Sequence, residues 1–406
     1  MATAPVEKPR IITLYVVRLL MKVMLVFACS ANTYGADSTP PNVVLIFVDD
    51  LGYCASGLYG CDAPTPNIQQ LADEGTLFTD GYVTSPVCAP SRAGLLTGRS
   101  QQRFGADYLP EGEPDGNGGL PVGELTLADD MKAAGYVTGI VGKWHLGHND
   151  EFHPLNRGFD EFFGLLNAAT DYADPGREDV LVATSWGMKL PALSYSMGED
   201  LSTWGFTKSF WFEPDAPMLA RGTNLVQEDS YLTEAFSREA VDFINRHKDQ
   251  PFFLYLPYTA VHAPYQVTQE YYDRFPHIED EKTKIQTAMV AALDDGVGTV
   301  LSALETNGIA ENTLIFFISD NGAGADTADN APLRLGKHSL FEGGNRVPFV
   351  LKWQGIIPAG LTYRHPVSAL DVYPTALVAA GTELPEERKL EGVDLLPYLN
   401  AAASAP

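Results

Sequence analysis

The chain has 406 residues, 45% of them hydrophobic, and a formal net charge of -25. That length supports one large α/β domain or two smaller ones, and glycine (37) and proline (28) are too near average for a fibrous or disordered chain. The acidic balance argues against nucleic acid or an anionic membrane surface as partner. An anionic substrate would need a site made locally positive against that field, so basic residues in motif positions carry the most information.

The N-terminus has the pattern of an export signal. Arg18 and Lys22 flank the short apolar stretch Met24-Leu25-Val26-Phe27-Ala28, and small residues follow as far as Ala31 or Ala36. The segment 1–36 is too short and too basic-flanked for a transmembrane helix, and translation starting at Met21 would suit it equally. The expected destination is the periplasm or the medium, with Cys29 a weak site for a lipid anchor and no transmembrane segment. Of the four cysteines, Cys54 and Cys61 are close enough to form a disulfide or to remain two buried thiols. Cys88 is left over.

Along the chain, short apolar runs alternate with helical patterns. This predicts a large, mostly parallel sheet with helices on both faces. The run Val43–Val48 is a buried strand ending at Asp49-Asp50. Thr65-Pro66 opens a helix with Ile68, Leu71 and Ala72 on one face and Gly75 as its stop. Ser91–Thr97 reads as a short helix and Leu127–Ala134 as another, closed by Gly135. Tyr136–Val141 is a strand running into Lys143-Trp144-His145. The segment 165–227, with Trp186, Trp204 and Trp211, is less regular and reads as an insertion over the sheet. Tyr231–Arg246 is a helix, Phe252–Leu256 a strand leading to His262, and Ile285–Leu304 a long helix. Leu314–Ile318 is a buried strand ending at Asp320-Asn321-Gly322. Val347–Leu351 is a further strand and Val372–Ala380 a helix. The catalytic domain is expected over 37–400, with 401–406 as a tail.

Polar residues thus follow the ends of several apolar strands, and in an open parallel sheet ligand sites form outside those ends. Asp49, Asp50, Asp320 and Asn321 offer hard oxygen donors suited to Ca2+ or Mg2+, although Asp and Asn also cap helices and tie turns. Lys143, His145, His262, Arg92 and Lys337 are candidates to surround an oxyanion, with either histidine a general acid or base. Cys88 sits between Pro86 and Pro90 ahead of a short helix whose N-terminus favours an anion. By itself it reads equally as a structural thiol, a thiolate nucleophile or something else.

Cys88-Ala89-Pro90-Ser91-Arg92, followed by Leu95-Leu96-Thr97-Gly98-Arg99, resembles the signature of the formylglycine-dependent sulfatases of the alkaline phosphatase superfamily. Supporting segments agree in order: Asn42–Gly52, Gly142–Gly147, Arg157–Asp160, His262–Pro264, Ser319–Gly322 and Gly336–Pro348. The resemblance runs from about Asn42 to Leu399 and is strongest toward arylsulfatases and N-acetylgalactosamine-6-sulfatases. It implies oxidation of Cys88 to formylglycine by a formylglycine-generating or an anaerobic sulfatase-maturating enzyme. It further implies that one hydroxyl of the hydrated aldehyde attacks sulfur and that loss of the other's proton expels sulfate. By the same resemblance Asp49, Asp50, Asp320, Asn321 and residue 88 meet one Ca2+. Lys143 and Lys337 neutralise sulfate, Arg92 steadies the diol, His262 protonates the leaving alcohol and His145 takes the diol proton.

Members of that family continue past Glu391–Leu396 into a small C-terminal subdomain, which this sequence is expected to lack or to carry in shortened form. The expected substrate is a sulfated carbohydrate or an aryl sulfate. Two other readings stand beside it: a phosphonate or phosphate ester hydrolase of the same superfamily, and a catalytically impaired protein that binds sulfated glycans.

Overall fold

The computed structural model describes residues 39–107, 118–174, 177–183, 189–190, 219–324 and 330–404. The export segment with Met21 and Cys29, and the three tryptophans Trp186, Trp204 and Trp211, lie outside the described residues.

The sheet is built on β1 (Asn42–Val48), buried at every position and apolar throughout after Asn42. Such a run can be covered on both sides only if its neighbours are parallel strands joined by helical crossovers. β1 pairs in parallel with β12 (Thr313–Ser319) and with β10 (Phe252–Pro257). β10 pairs in parallel with β4 (Val137–Lys143), and β4 with β5 (Glu161–Leu165). At one flank β13 (Phe349–Lys352) runs antiparallel to β12 and pairs with β2 (Thr76–Phe78), which is followed by β14 (Leu361–Tyr363). At the other, the hairpin of β8 (Leu219–Arg221) and β9 (Asn224–Val226) continues the sheet antiparallel from β5. The order is β14-β2-β13-β12-β1-β10-β4-β5-β8-β9. Two small sheets accompany it: β11 (Tyr265–Thr268) with β6 (Val180–Ala183) and β7 (Lys189–Leu190), and β3 (Gly81–Tyr82) with β15 (Val367–Ser368).

Strand periodicity of two divides the core. Val44, Ile46 and Val48 face one layer, against α1 (Pro66–Asp73), α4 (Leu232–His247) and α5 (Glu281–Thr306). Val43, Leu45 and Phe47 face the other, against α2 (Cys88–Thr97), α3 (Leu127–Ala133) and α6 (Val372–Ala379). Two of the helix starts follow local rules. Pro66 occupies the first turn of α1, and Thr126 with Asp129 closes a capping box on α3. Helix α5 is long and apolar enough to cross a membrane by length and composition, but 72% of its apolar window is buried inside the protein.

Two expectations change. Helix α2 begins at Cys88, not Ser91. Pro90 then falls in the first turn, where its missing N–H removes no intrahelical bond. Within 165–227, the described residues include regular strands: β8 and β9 extend the main sheet, and β6 pairs with β11. Cys54 and Cys61 form a disulfide, while Cys88 is a free, buried thiol.

Candidate active site

The carboxyl ends of β1, β4, β10 and β12 converge, and each delivers polar groups to the same place. From β1 come Asp49 and Asp50, the latter with left-handed backbone at φ 59°. From β12 come Asp320 and Asn321, both fully buried. The two turns are stitched together. The Asp50 N–H donates to Asp320 Oδ1 at 3.1 Å, and Asn321 Nδ2 donates to Asp50 Oδ1 at 2.6 Å. Ser319 Oγ accepts from the Leu51 N–H at 3.0 Å and donates to Asn321 O at 2.8 Å, which locks both turns from below.

Strand β4 ends on Lys143, reached through Gly142 at φ 132°. A Cβ at residue 142 would lie 2.0 Å from Pro257 O, so only glycine lets β4 approach β10 closely enough at this point. Lys143 Nζ donates to Asp49 Oδ2 at 2.6 Å. His145 lies just beyond, buried and at φ 59°, and is among the groups that hold the Cys88 thiol down. Lys337 arrives on a separate loop and donates to both oxygens of Asp50, at 2.7 and 2.9 Å. His262 follows β10; its Nε2 is 3.8 Å from Asp50 Oδ2 and its Nδ1 is 2.5 Å from Ala263 O. A carbonyl only accepts, so Nδ1 carries a proton and Nε2 is the nitrogen that titrates.

Cys88 stands in the first turn of α2, with its sulfur among the side-chain oxygens of Asp49 and Asp320, all within 4.8 Å of one another. Arg92, one turn on, faces inward and is completely buried. Its Nη2 donates to Asp320 Oδ2 at 2.6 Å, its Nη1 donates to the Lys143 carbonyl at 3.1 Å, and its guanidinium lies 5.4 Å from the centre of the Phe47 ring. The ten residues singled out in the sequence therefore form one cluster.

The electrostatics of the cluster are tight. Burial opposes the charge on Asp49, but Lys143, His262 and Arg92 outweigh it and hold the carboxyl at about 2. Burial likewise opposes Asp50, and Lys337 and His262 hold it below the usual range. Asp320 goes the other way, pushed up by burial and by the neighbouring Asp49. Burial raises the Cys88 thiol less than Lys143, Lys337 and His145 lower it. His262 is lowered, first by burial and then by Lys337.

Two buried oxygens in this crowd, Asp49 Oδ1 and Asn321 Oδ1, have no hydrogen-bond partner. A buried acceptor left without a donor costs about 1–3 kcal/mol, and three packed carboxylates repel one another. Both strains are what a hard divalent cation relieves, and an all-oxygen donor set is the chemistry such an ion takes. The residues present therefore fit a resident Ca2+ or Mg2+.

Sequence reading missed the residues that hold this geometry. Tyr172 is buried, and its hydroxyl donates to Thr259 O at 2.5 Å and lies 3.0 Å from His262 O, which ties down the turn bearing His262. Nothing in the local pattern around Tyr172 marks it, because its partners lie 87 and 90 residues away. Ser319 did carry a signal, being the residue at which an apolar strand turns polar just before Asp320.

Comparison with known proteins gives the family. The Sulfatase family model matches residues 41–382. The N-acetylgalactosamine-6-sulfatase of Canis lupus familiaris is 36% identical over 93% of this chain and 69% of its own length. The human arylsulfatase D is 33% identical over 95% of this chain and 72% of its own. Among solved structures, Ps i-CgsB in complex with k-i-k-neocarrahexaose is 38% identical with a TM-score of 0.78, covering 90% of this chain and 77% of that one. A cluster built from four strand ends, inside a mostly parallel sheet of this similarity, places the chain in the sulfatase family, the hydrolases of sulfuric esters.

Proposed function

We propose that the protein cleaves sulfate esters of carbohydrates, using residue 88 as nucleophile after oxidation of Cys88 to formylglycine, with Ca2+ held by Asp49, Asp50, Asp320 and Asn321. The observation that carries this reading is the pair of orphaned buried oxygens on Asp49 and Asn321, set beside a thiol ringed by Lys143, Lys337 and His145. A structural cysteine needs neither cations nor a hard-metal donor set around it. Maturation falls to a formylglycine-generating or an anaerobic sulfatase-maturating enzyme, and the N-terminal segment is read as an export signal to the periplasm or medium.

The cation, when bound, supplies positive charge for a sulfate oxygen and favours the ionised nucleophile. The hydrated aldehyde supplies a hydroxyl nucleophile, and through its second hydroxyl a way to expel sulfate that a thiol lacks. The side chains of the chain do the rest. Lys143 spends one N–H on Asp49, which leaves two donors for sulfate. Lys337 is pinned on Asp50 and adds a second ammonium. Both are held at fixed positions before substrate arrives, which is where electrostatic catalysis gains its strength. His145, one of the groups that act on the Cys88 thiol, takes the proton of residue 88. His262 Nε2 is oriented by the Nδ1 contact with Ala263 O, and its lowered affinity for a proton makes the imidazolium a ready donor to the leaving oxygen. Arg92 anchors Asp320 and the end of β4 and so fixes both sides of the nucleophile.

The carbohydrate class is supported by the relatives: one is named an N-acetylgalactosamine-6-sulfatase and another is in complex with k-i-k-neocarrahexaose. Peptide mass spectrometry across residue 88, on active protein from its own host, is the test. The expected species is the aldehyde or its hydrate. An ordinary thiol in fully active protein sinks the mechanism, and turnover of phosphate but not sulfate esters of one alcohol sinks the substrate class.

A further inference from the structure

Among the described residues, four non-glycine residues hold left-handed backbone: Asp50, His145, Leu335 and His338, at φ 59°, 59°, 60° and 68°. Each such conformation costs on the order of 1 kcal/mol and persists where surrounding structure enforces it. Asp50 and His145 belong to the reacting centre. Leu335 and His338 flank Lys337, and nothing in the sulfate chemistry requires their side chains.

Their loop, 333–345, is locked against the site. The Lys337 N–H donates to Ala323 O and the His338 N–H to Pro86 O, both at 2.9 Å, and the Gly343 N–H donates to Arg334 O at 3.0 Å. A Cβ at Gly343 would lie 2.0 Å from Leu335 O, so the loop is folded tightly onto itself. Its outer surface is unusual for so acidic a protein. Three of the nine exposed large hydrophobic side chains among the described residues lie here, Leu335 at 50%, Leu340 at 86% and Phe341 at 45%. The Arg334 guanidinium stands over the Phe341 ring at 4.1 Å.

We propose that Arg334, Leu335, His338, Leu340 and Phe341 form a second sugar subsite, which takes the residue next to the one bearing the cleaved sulfate in an anionic polysaccharide. The proposal rests on the carbohydrate reading above. A hydrogen-bonded loop that exposes apolar side chains and holds one guanidinium over an aromatic ring suits a pyranose, which offers a C–H face and an anionic substituent at its edge. Exposed large apolar side chains gathered in the loop that carries Lys337 mark a candidate interaction site. A second copy of the chain is a poor occupant, since each copy carries a net charge of -25.

The test compares the matured enzyme on a sulfated monosaccharide and on an oligosaccharide bearing the same sulfate at the same position. Wild type is expected to prefer the oligosaccharide by at least about tenfold in kcat/KM. Phe341→Ala and Arg334→Gln are each expected to cut that preference roughly fivefold, through KM, with the monosaccharide rate unchanged. A wild type without the preference, variants that keep it, or variants that lose both rates together would each overturn the subsite. So would a dimer in sedimentation that Phe341→Ala dissociates. Failure of the underlying reading looks different: wild type then cleaves aryl sulfates and no carbohydrate sulfate of either length.

Discussion

Asp294, inside α5, and Asp49, past the end of β1, are buried to the same degree, at 1% and 0% exposure. Asp294 spends both oxygens on donors at the start of α1, taking the N–H groups of Asn67 and Ile68 and the Asn67 side chain at 2.7–3.1 Å. No cation contributes, and burial pushes its carboxyl up. Asp49 has Lys143 and Arg92 on one oxygen and nothing on the other, and its carboxyl is held down at about 2. A structural carboxylate is saturated by backbone donors of a helix start that would otherwise lack partners. Asp49, which we propose holds the cation, is over-supplied with positive charge and has one oxygen without a hydrogen-bond partner. The difference separates fold from chemistry within one core, and each prediction below loads one side of it.

The largest effect is expected at the nucleophile. Cys88→Ala removes the precursor of the proposed nucleophile, and kcat is predicted to fall by at least ~10⁴-fold, in line with loss of a covalent nucleophile. Circular dichroism and the melting temperature should stay close to wild type, because the residue is small and sits in the first turn of α2. A melting temperature that falls with activity would move Cys88 to the structural side.

Chelation comes next. Stripping divalent cations is predicted to lower kcat by about 10³-fold and to lower the melting temperature, both restored by Ca2+. Asp49→Asn should lose activity to a similar extent and lose the thermal shift on adding Ca2+. Retention of that shift by Asp49→Asn would place the ion elsewhere. Asp294→Ala gives the opposite signature: about 1–3 kcal/mol of stability lost in denaturant unfolding, with kcat and the Ca2+ response kept. If Asp294→Ala instead abolished turnover in folded protein, the contrast between the two carboxylates would not hold.

How much of this was legible follows the same division. Five strands of the sheet, β1, β4, β10, β12 and β13, and the donors at the ends of four of them were readable because both are local, whereas β2, β5, β8, β9 and β14 were not read. An apolar run that stops at Asp49-Asp50 or Asp320-Asn321 signals a buried strand and its carboxyl end within ten residues. The start of α2 was misplaced by three residues because Pro90 looks like a barrier before it, yet falls where a helix tolerates it. Asp294 left a faint trace, a lone acid in the apolar stretch of α5, but its partners are 226 and 227 residues away. Arg92 was read among the groups around an oxyanion and, by the resemblance, as steadying the diol. Its bonds run inward to Asp320 and to the Lys143 carbonyl, a direction set by the packing of α2 on the sheet that no local pattern encodes.

Tyr172 is the smallest and most discriminating case. Its hydroxyl bonds Thr259 O, which also accepts the His262 N–H at 2.9 Å, so the phenol braces the turn that aims the imidazole. Its own backbone is clamped in turn, since the Tyr172 N–H donates to Gln266 Oε1 at 2.7 Å. Tyr172→Phe keeps the ring and its contact with Tyr231 and leaves Thr259 O one remaining donor, so the fold should tolerate it. What is lost is aim. Misplacing a general acid penalises alcohols that need a proton to leave and spares phenols that do not. Turnover of a sulfate ester with a poor leaving group is therefore predicted to fall about tenfold, while a nitrophenyl ester changes by less than about twofold. His262→Ala should show the same leaving-group dependence, larger in size. If His262→Ala shows it and Tyr172→Phe slows both esters equally, the tyrosine belongs with Asp294 on the structural side. If neither shows it, the proton donor is not His262, and the turn that Tyr172 braces serves the fold alone.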